Sequence, residues 1–565
     1  MKAKIKEILA GGVRACVSAG LLPETDLPDW SLDPPKSRQH GDYATNLAFL
    51  LAPTAKKSPR QIAELLVGHL PPDPGAIAKI EVAGPGFINI FVTDALRHKT
   101  LGEILDQGTA YGRSESGQGR RVQVEFVSAN PTGPLTIGHG RQAVLGDAIA
   151  RLLERTGHKV TREYYFNDAG RQMNLLAEST RARYLELLGR EAAFPEDGYH
   201  GEYIRQIAAR IVDREGEGWT EAHSDRFKEF AEEALFTEIR GTLDRIGIVF
   251  DVYFNETSLY EDGSLDAVLA ALREKGLCYE KEGAVWFRGT RFGLDKDRVL
   301  VKSTGEPTYR LPDIAYHVNK LRRGFDGIVD IFGADHESTC RDVLAALGAL
   351  GYDVSRIRIL IHQFVTLLRD GRPVRMGKRS ANFVTLEELL DEAGADAVRF
   401  FFLQRRHDAH LDFDLDLARR QTDENPVYYV QYAHARIASV LREAVTKGAR
   451  VPAGLADAGA ERLTQEPERD LIHRMAEFPE LVERAASSLE PHRITFYLLD
   501  LVGAFHAYYN QHRILSEEAS ITSARLALIA ALRHVIAAGL ALMGVSAPDR
   551  MERPEVRREA TADAI

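Results

Sequence analysis

Two short stretches of this sequence carry residue types suited to phosphate chemistry. The first runs Ser128-Ala129-Asn130-Pro131-Thr132-Gly133-Pro134-Leu135-Thr136-Ile137-Gly138-His139-Gly140-Arg141. Its two prolines stiffen the chain, and Gly138 and Gly140 strip side chains from what reads as the start of a helix. A helix N-terminus offers unpaired N–H groups and a partial positive charge, so an anion is stabilised there. His139 can donate a hydrogen bond to a phosphate oxygen as negative charge develops in a transition state. The second stretch, RDGRPVRMGKRSAN from Arg369 to Asn382, sets Arg369, Arg372, Arg375, Lys378 and Arg379 against one acid, Asp370. Cations on such a loop can clamp a leaving pyrophosphate without moving a proton. Taken alone, each stretch has a plainer reading, a strand-to-helix turn and a solvated basic loop. Their joint occurrence on two halves of one fold favours function.

The elements that must position these loops are legible in the periodicity. Val122, Val124 and Phe126 alternate with polar residues and predict a strand entering the first loop. Val144, Leu145, Ala148, Ile149, Leu152 and Leu153 recur at helical spacing after it, Gly157 ends that helix, and Val160 to Phe166 reads as the next strand. Strand, loop, helix, strand is the βαβ unit of a parallel sheet. The pattern returns with a strand at Gly327–Phe332, a helix at Ser338–Leu350 and a strand at Ile357–Val365, and the second loop precedes a helix near Thr385. Between the halves, about 180–305, the chain reads as a mostly helical insertion. Residues 1–118 predict a small α/β unit, with a His40-Gly41-Asp42-Tyr43 turn, a helix after Pro59, a strand at Phe87–Val92 and a polar linker at Gly112–Gly119. After about 386 the pattern is helical to the end, with Tyr428, Tyr429, Tyr432 and His434, and then Tyr508, Tyr509 and Arg513, on helical faces.

The chain has 565 residues, 44% hydrophobic and 27% charged, which predicts several globular domains. Three scattered cysteines, Cys16, Cys278 and Cys340, exclude a disulfide framework or a cysteine-rich metal site and suit a reducing cytoplasm. The net charge of −10, from 72 basic and 82 acidic residues, means that any nucleic acid must be met by local patches. Arg14 interrupts the apolar start, and Arg533 and His534 sit inside the most apolar stretch, Leu526–Val545, so both predict helices of a soluble protein.

At the two loops the chain resembles the class I aminoacyl-tRNA synthetases, whose signatures are His-x-Gly-His and Lys-Met-Ser-Lys-Ser. Thr136-Ile137-Gly138-His139 and Arg375-Met376-Gly377-Lys378-Arg379 stand in those places. More closely it resembles the arginyl-tRNA synthetases, over essentially its whole length. Glu125–Arg141, Tyr164–Gly170, Gly333-Ala334-Asp335-His336, Asn425–His434, His40–Asn46 and Ala83–Ile90 carry the likeness. The sequence departs from the signatures at Thr136, Arg375 and Gly377, and Gly133-Pro134 offers no lysine just before the first, so Lys378 must supply the cation. The open alternatives are a cysteinyl or glutamyl enzyme of the same class, or a catalytically impaired tRNA-binding paralogue, to which Thr136 alone lends weight.

The resemblance implies a Rossmann-like catalytic domain at 119–385 with its insertion, an N-terminal tRNA-elbow-binding domain at 1–118, a stem-contact connection at 386–424 and an all-α anticodon-binding bundle at 425–565. It implies arginyl-adenylate formation from L-arginine and ATP, with Mg2+ carried by the ATP and no protein metal site, then transfer to tRNA(Arg) by a cytoplasmic monomer. Thr136, Gly138, His139, Arg375, Met376 and Lys378 would face ATP, with His139, Lys378 and Thr136 as the catalytic groups. A guanidinium presents donors that carboxylates accept in pairs. By resemblance Glu256, Tyr309 and Asp313 would contact it, and Glu125, Ser128, Asn130 and His336 would surround the α-amino end. Tyr428, Tyr432 and Tyr509 would stack tRNA bases.

Overall fold

Helix α1 (Lys2–Ser18) buries Ile5, Ile8, Leu9, Val13 and Cys16, the spacing that an amphipathic helix requires. The computed structural model describes residues 1–24, 26–27, 30–35, 37–220, 223–374 and 384–551. Strands β1 (Leu32–Asp33), β2 (Tyr43–Thr45), β3 (Ile77–Ala83) and β4 (Phe87–Val92) form an antiparallel sheet in the order β1-β2-β4-β3. Helices α2 (Leu47–Ala55) and α3 (Pro59–Gly68) accompany it, α3 starting at a Ser58/Gln61 capping box with proline in its first turn. Gly41 has φ +104, and a Cβ there would stand 2.7 Å from the Ile90 carbonyl oxygen. The turn at His40–Tyr43 therefore needs glycine. Helix α4 (Asp94–Gln107) leaves this unit, and its Leu101, Ile104 and Leu105 join the core shared by the central parallel sheet and the C-terminal helices. The unit expected at 1–118 thus divides near residue 96, because α4 turns its apolar face to the bundle.

The main sheet consists of β5 (Arg121–Glu125), β6 (Lys159–Phe166), β7 (Val252–Asn255), β11 (Gly327–Gly333) and β12 (Ile357–His362), all parallel, in the order β12-β11-β5-β6-β7. Helix α5 (Ile137–Arg155) crosses from β5 to β6, and a methyl on Gly146 would strike Phe126. Central β5 is covered on both faces, so even Gln123 and Glu125 are buried. The alternation in the sequence separates two buried faces there, not core from solvent.

The insertion is not one helical block. Helices α6 (Arg171–Leu187), α7 (Glu202–Glu215) and α8 (Ser224–Arg245) have a core of their own around Tyr184, Trp219 and Phe227. Strand β7 then returns to the main sheet. After α9 (Thr257–Glu261) and α10 (Ser264–Glu274), strands β8 (Cys278–Lys281), β9 (Ala284–Phe287) and β10 (Arg298–Val301) make a small antiparallel sheet. Helices α11 (Arg310–Arg322) and α12 (Glu337–Leu350) flank β11.

The strand expected at 357–365 also breaks. β12 ends at His362, and β13 (Val365–Arg369) starts a separate sheet with β14 (Arg372–Pro373) and, in parallel, β15 (Leu411–Asp414). Arg141, 1% exposed, fixes the break by donating to the carbonyls of Gln363 (2.7 Å), Arg406 (3.0 Å) and Ala409 (2.9 Å). Helices α13 (Leu386–Ala393), α14 (Ala395–Phe402) and α15 (Leu415–Arg419) surround this sheet, so residues 386–424 are an integral layer with one strand.

The C-terminal bundle is α16 (Pro426–Thr446), α17 (Glu466–Ala476), α18 (Phe478–Ser488), α19 (His492–Gln511) and α20 (Ala519–Leu542). By length and composition α20 could cross a membrane, but 72% of its apolar window is buried inside the protein. Its other contacts include α4, α5 and α16. Buried Arg399 of α14 donates to the Met543 carbonyl just past α20 (2.7 Å), to the Ile246 carbonyl just past α8 (2.9 Å), and to Asp147 in the middle of α5.

Candidate active site

In an open parallel sheet, ligands bind beyond the strand C-termini where the winding direction reverses. Here that point lies between β5 and β11, which place the loops after Glu125 and Gly333 side by side. Immediately after β5, Val127 (φ 67) and Ser128 (φ 41) both take left-handed backbone. That conformation is unusual for a β-branched residue, and strain of this kind gathers at functional sites. It carries Ser128 Oγ to Glu125 Oε1 (2.9 Å) while the same oxygen accepts the Tyr165 N–H (3.1 Å).

The loop then enters α5 through a capping box. Thr136 Oγ1 accepts the His139 N–H (3.4 Å), and His139 Nδ1 accepts the Thr136 N–H (3.2 Å). Since Nδ1 is an acceptor, the neutral ring carries its hydrogen on Nε2, the arrangement that suits a donor to phosphate. Thr136, the departure from the first signature, is thereby a competent helix cap. A Cβ on Gly138 would make only ordinary contact, whereas one on Gly140 would stand 2.6 Å from Leu386 Cδ1. Gly140 serves helix packing, and Gly138 keeps the helix start bare.

The second loop returns to the first. Thr385 forms a β-bridge with Thr136, and Leu386 N–H donates to the Leu135 carbonyl (2.8 Å). Thr385 also caps α13 through a box with Glu388. Arg375, Met376 and Lys378 lie outside the described residues. The insertion grips the first loop from the other side. Gln172 Oε1 accepts from Asn130 Nδ2 (2.6 Å), and the Tyr203 hydroxyl donates to the Thr132 carbonyl (2.7 Å).

Beside the loop the fold gathers carboxylates from three elements. Glu125 ends β5, Glu256 follows β7, and Asp313 lies in the first turn of α11. Tyr165 donates to Glu256 Oε2 (2.9 Å) and Tyr260 to Oε1 (3.2 Å). Burial raises the Glu256 pKa against those two bonds. Asp313 is pushed up to about 7, first by burial and then by the charges of Glu256 and Glu125, with His317 and Lys320 acting the other way. Carboxylates held together at such a cost have the charge and placement that suit a cation. Tyr309, 60% exposed, stands at the head of α11, and the Asp313 N–H donates to its carbonyl (3.2 Å). The pair is thus one helical turn apart. His336 is exposed at the end of β11, near the Phe332 ring. Among the described residues, no group of three or more His, Cys, Asp or Glu side chains is arranged to hold a metal ion.

Three family models divide the chain between them. They are described as "Arginyl tRNA synthetase N terminal domain" (residues 2–92), "tRNA synthetases class I (R), catalytic domain" (100–408) and "DALR anticodon binding domain" (430–551). A curated relative named "Arginine--tRNA ligase" from Desulfotalea psychrophila is 50% identical over 98% of this chain and 100% of its own. The chain belongs to the arginyl-tRNA synthetase family. A Bacillus subtilis relative of the same name is 46% identical over 97% of this chain and 99% of its own. Among solved structures, a putative arginyl-tRNA synthetase from Campylobacter jejuni covers 81% of this chain and 100% of its own at 32% identity and TM-score 0.73. The Thermus thermophilus arginyl-tRNA synthetase shares the fold at TM-score 0.75 and 24% identity, over 97% of this chain and 100% of its own.

In the region matching the family's anticodon-binding model, Tyr432 of α16 and Tyr509 of α19 are partly exposed, and Arg436 lies 5.7 Å and 4.3 Å from their ring centroids. Tyr428, expected with them, is 7% exposed and stacks on Tyr432 at 5.9 Å. Helix α16 turns it inward, so it supports its neighbour instead of meeting a base. Sequence reasoning missed Tyr165, Tyr260, Gln172, Tyr203, His317, Lys320 and Asp330. Lys320, next to Arg322 and Arg323, reads as part of a solvated basic face. His317, four residues after Asp313, is the one helical-spacing signal that pointed inward.

Proposed function

We propose that this chain joins L-arginine to tRNA(Arg) at the expense of ATP. An arginine carboxylate oxygen attacks the α-phosphorus of ATP, the bond to the β-phosphate breaks, and pyrophosphate leaves. The terminal ribose hydroxyl of the tRNA then attacks the arginyl carbonyl, and AMP leaves. Neither step passes through a covalent enzyme intermediate, so positioning and charge stabilisation carry the rate. Asp313, Glu256 and Tyr309 take the guanidinium, and Glu125, Ser128, Asn130 and His336 surround the α-amino end. Thr136, Gly138 and His139, together with Arg375, Met376 and Lys378, take the ATP, whose Mg2+ arrives with it. Tyr432 and Tyr509 meet the anticodon region. The reading carries with it a cytoplasmic monomer.

The observation that carries this reading is the carboxylate cluster at Glu125, Glu256 and Asp313, with Asp313 raised to about 7, beside the capped His139 loop. ATP–pyrophosphate exchange with each amino acid, with and without tRNA, tests it. Arginine-dependent exchange in the presence of tRNA is expected, and its absence overturns the reading. Lys378→Ala should sharply slow activation while tRNA affinity stays intact. Equal loss of both would make the second loop an RNA patch.

A further inference from the structure

Beside the carboxylate cluster lies a charge with no assigned role. Lys320 is 0% exposed, yet its ammonium meets Glu125 and, at 2.7 Å, Asp330 Oδ1. It stands 4.3 Å from the Tyr316 ring centroid. A lysine removed from water is costly unless paired and hydrogen-bonded, and a partner left alone is costlier still. Burial lowers its pKa, but Asp330 and then Glu125 outweigh that and hold it above the ordinary lysine value. His317 enters from the same helix, with Nδ1 at 2.7 Å from the Asp313 carbonyl and Nε2 at 3.0 Å from Asp330 Oδ2. Asp330 is thus shared by Lys320 and His317, and Glu125 by Lys320 and Ser128.

Each carboxylate oxygen has two acceptor positions. Lys320 takes one on Glu125 Oε2 and Ser128 one on Oε1, which pins the side chain and leaves two acceptor positions fixed in space. Without the ammonium, Glu125 would keep only the Ser128 hydrogen bond, and its free acceptor positions would no longer be fixed.

We propose that Lys320 is a positioning residue for the substrate's α-ammonium, a buried cation that holds the Glu125 carboxylate in one orientation to receive it. The proposal rests on the reading that Glu125 takes the α-amino group. It assigns Lys320 no contact with substrate and predicts an effect confined to one end of the arginine molecule.

Two analogues separate the ends. Agmatine keeps the amine and the guanidinium and lacks the carboxylate; 5-guanidinopentanoate keeps the guanidinium and the carboxylate and lacks the amine. Inhibition of aminoacylation by each is measured with intact protein and tRNA. In Lys320→Met, the arginine KM and the agmatine Ki should rise about tenfold or more, the loss of one charge-assisted bond. The Ki of 5-guanidinopentanoate and the KM for ATP should stay within about twofold, because neither depends on that bond. The double variant Lys320→Met with Asp330→Asn removes the buried cation together with one of its two carboxylate partners. It carries the test if the single variant does not fold, and it should show the same selective loss. An unchanged arginine KM in a folded variant overturns the proposal, as does equal weakening of both analogues. Glu125→Gln is the control. If it fails to separate the analogues, the Glu125 reading fails and the proposal falls with it. If it separates them and the Lys320 variants do not, the Lys320 proposal alone is overturned.

Discussion

Replacing Asp313 by asparagine should stabilise the protein while all but abolishing arginine activation. A carboxyl moved from 3.8 to about 7 corresponds to about 4 kcal/mol, at 1.36 kcal/mol per pH unit. Asp313 is partly exposed, so water screens some of this, and about 1–3 kcal/mol is the realistic gain. The sign follows from which state holds the proton. Below pH 3.8 the folded and unfolded chains are both protonated, and aspartic acid costs nothing relative to asparagine. As the pH climbs, the unfolded chain releases its proton while the folded chain retains it, so stability is lost until the pH passes about 7. The gain from asparagine should therefore be complete at pH 8 and less than half as large at pH 5. Arginine reverses the comparison. At about one hundred times its Kd it should add ~2.7 kcal/mol to the wild-type protein and almost nothing to the variant. Unfolding midpoints at pH 5 and 8, with and without arginine, make the assay. A variant no more stable than wild type at pH 8, or a difference that ignores pH, would refute the account of a strained, cation-seeking carboxylate. In the wild type, kcat/KM for arginine should rise about tenfold per pH unit below about 7 and then level off, since this quantity reports the free enzyme's ionisation.

Thr136→Ala should cost about 1 kcal/mol of stability with the loss of the N-cap and slow ATP–pyrophosphate exchange, whereas Thr136→Ser should retain both. Arg141→Met would leave the carbonyls of Gln363, Arg406 and Ala409 without their buried donor, and should lower stability by roughly 3 kcal/mol or more in thermal unfolding. Tyr509→Ala should raise the KM for tRNA by the roughly 1–3 kcal/mol of one stacked base, with the KM values for ATP and arginine unmoved.

The βαβ repeat, the turn into α5 and the helical C-terminus were legible because each rests on local periodicity or local turn chemistry. The spacing of Val144 to Leu153 predicted a helix, which the structure buries on nearly every side, and the glycines of the first loop marked its start. The break after His362 was not legible, because Val365 and Leu367 continue the apolar pattern and the long-range bonds from Arg141 decide where the strand ends. β7 was hidden in the insertion for a related reason. Four residues at a sheet edge carry little signal, and only their pairing with β6 identifies them. The site divided in the same way. The loop residues declared themselves by type and spacing. Lys320, Tyr165 and Asp330 did not, since burial turns an ordinary lysine, tyrosine or aspartate into part of a site and is settled by tertiary packing.

Arg399 bears on how the chain can be divided. The matches to the catalytic and anticodon-binding models stop at 408 and resume at 430, which invites a cut between them. Such a cut would separate the Arg399 guanidinium from the Met543 carbonyl while leaving it against Asp147, midway along the helix that begins at the signature histidine. Catalytic sheet and bundle also share one hydrophobic core, whereas residues 5–96 close over another. In a calorimeter the two C-terminal pieces should therefore melt as one cooperative unit, with the N-terminal domain free to melt apart. The boundaries between the family matches are thus not the seams along which this protein should come undone.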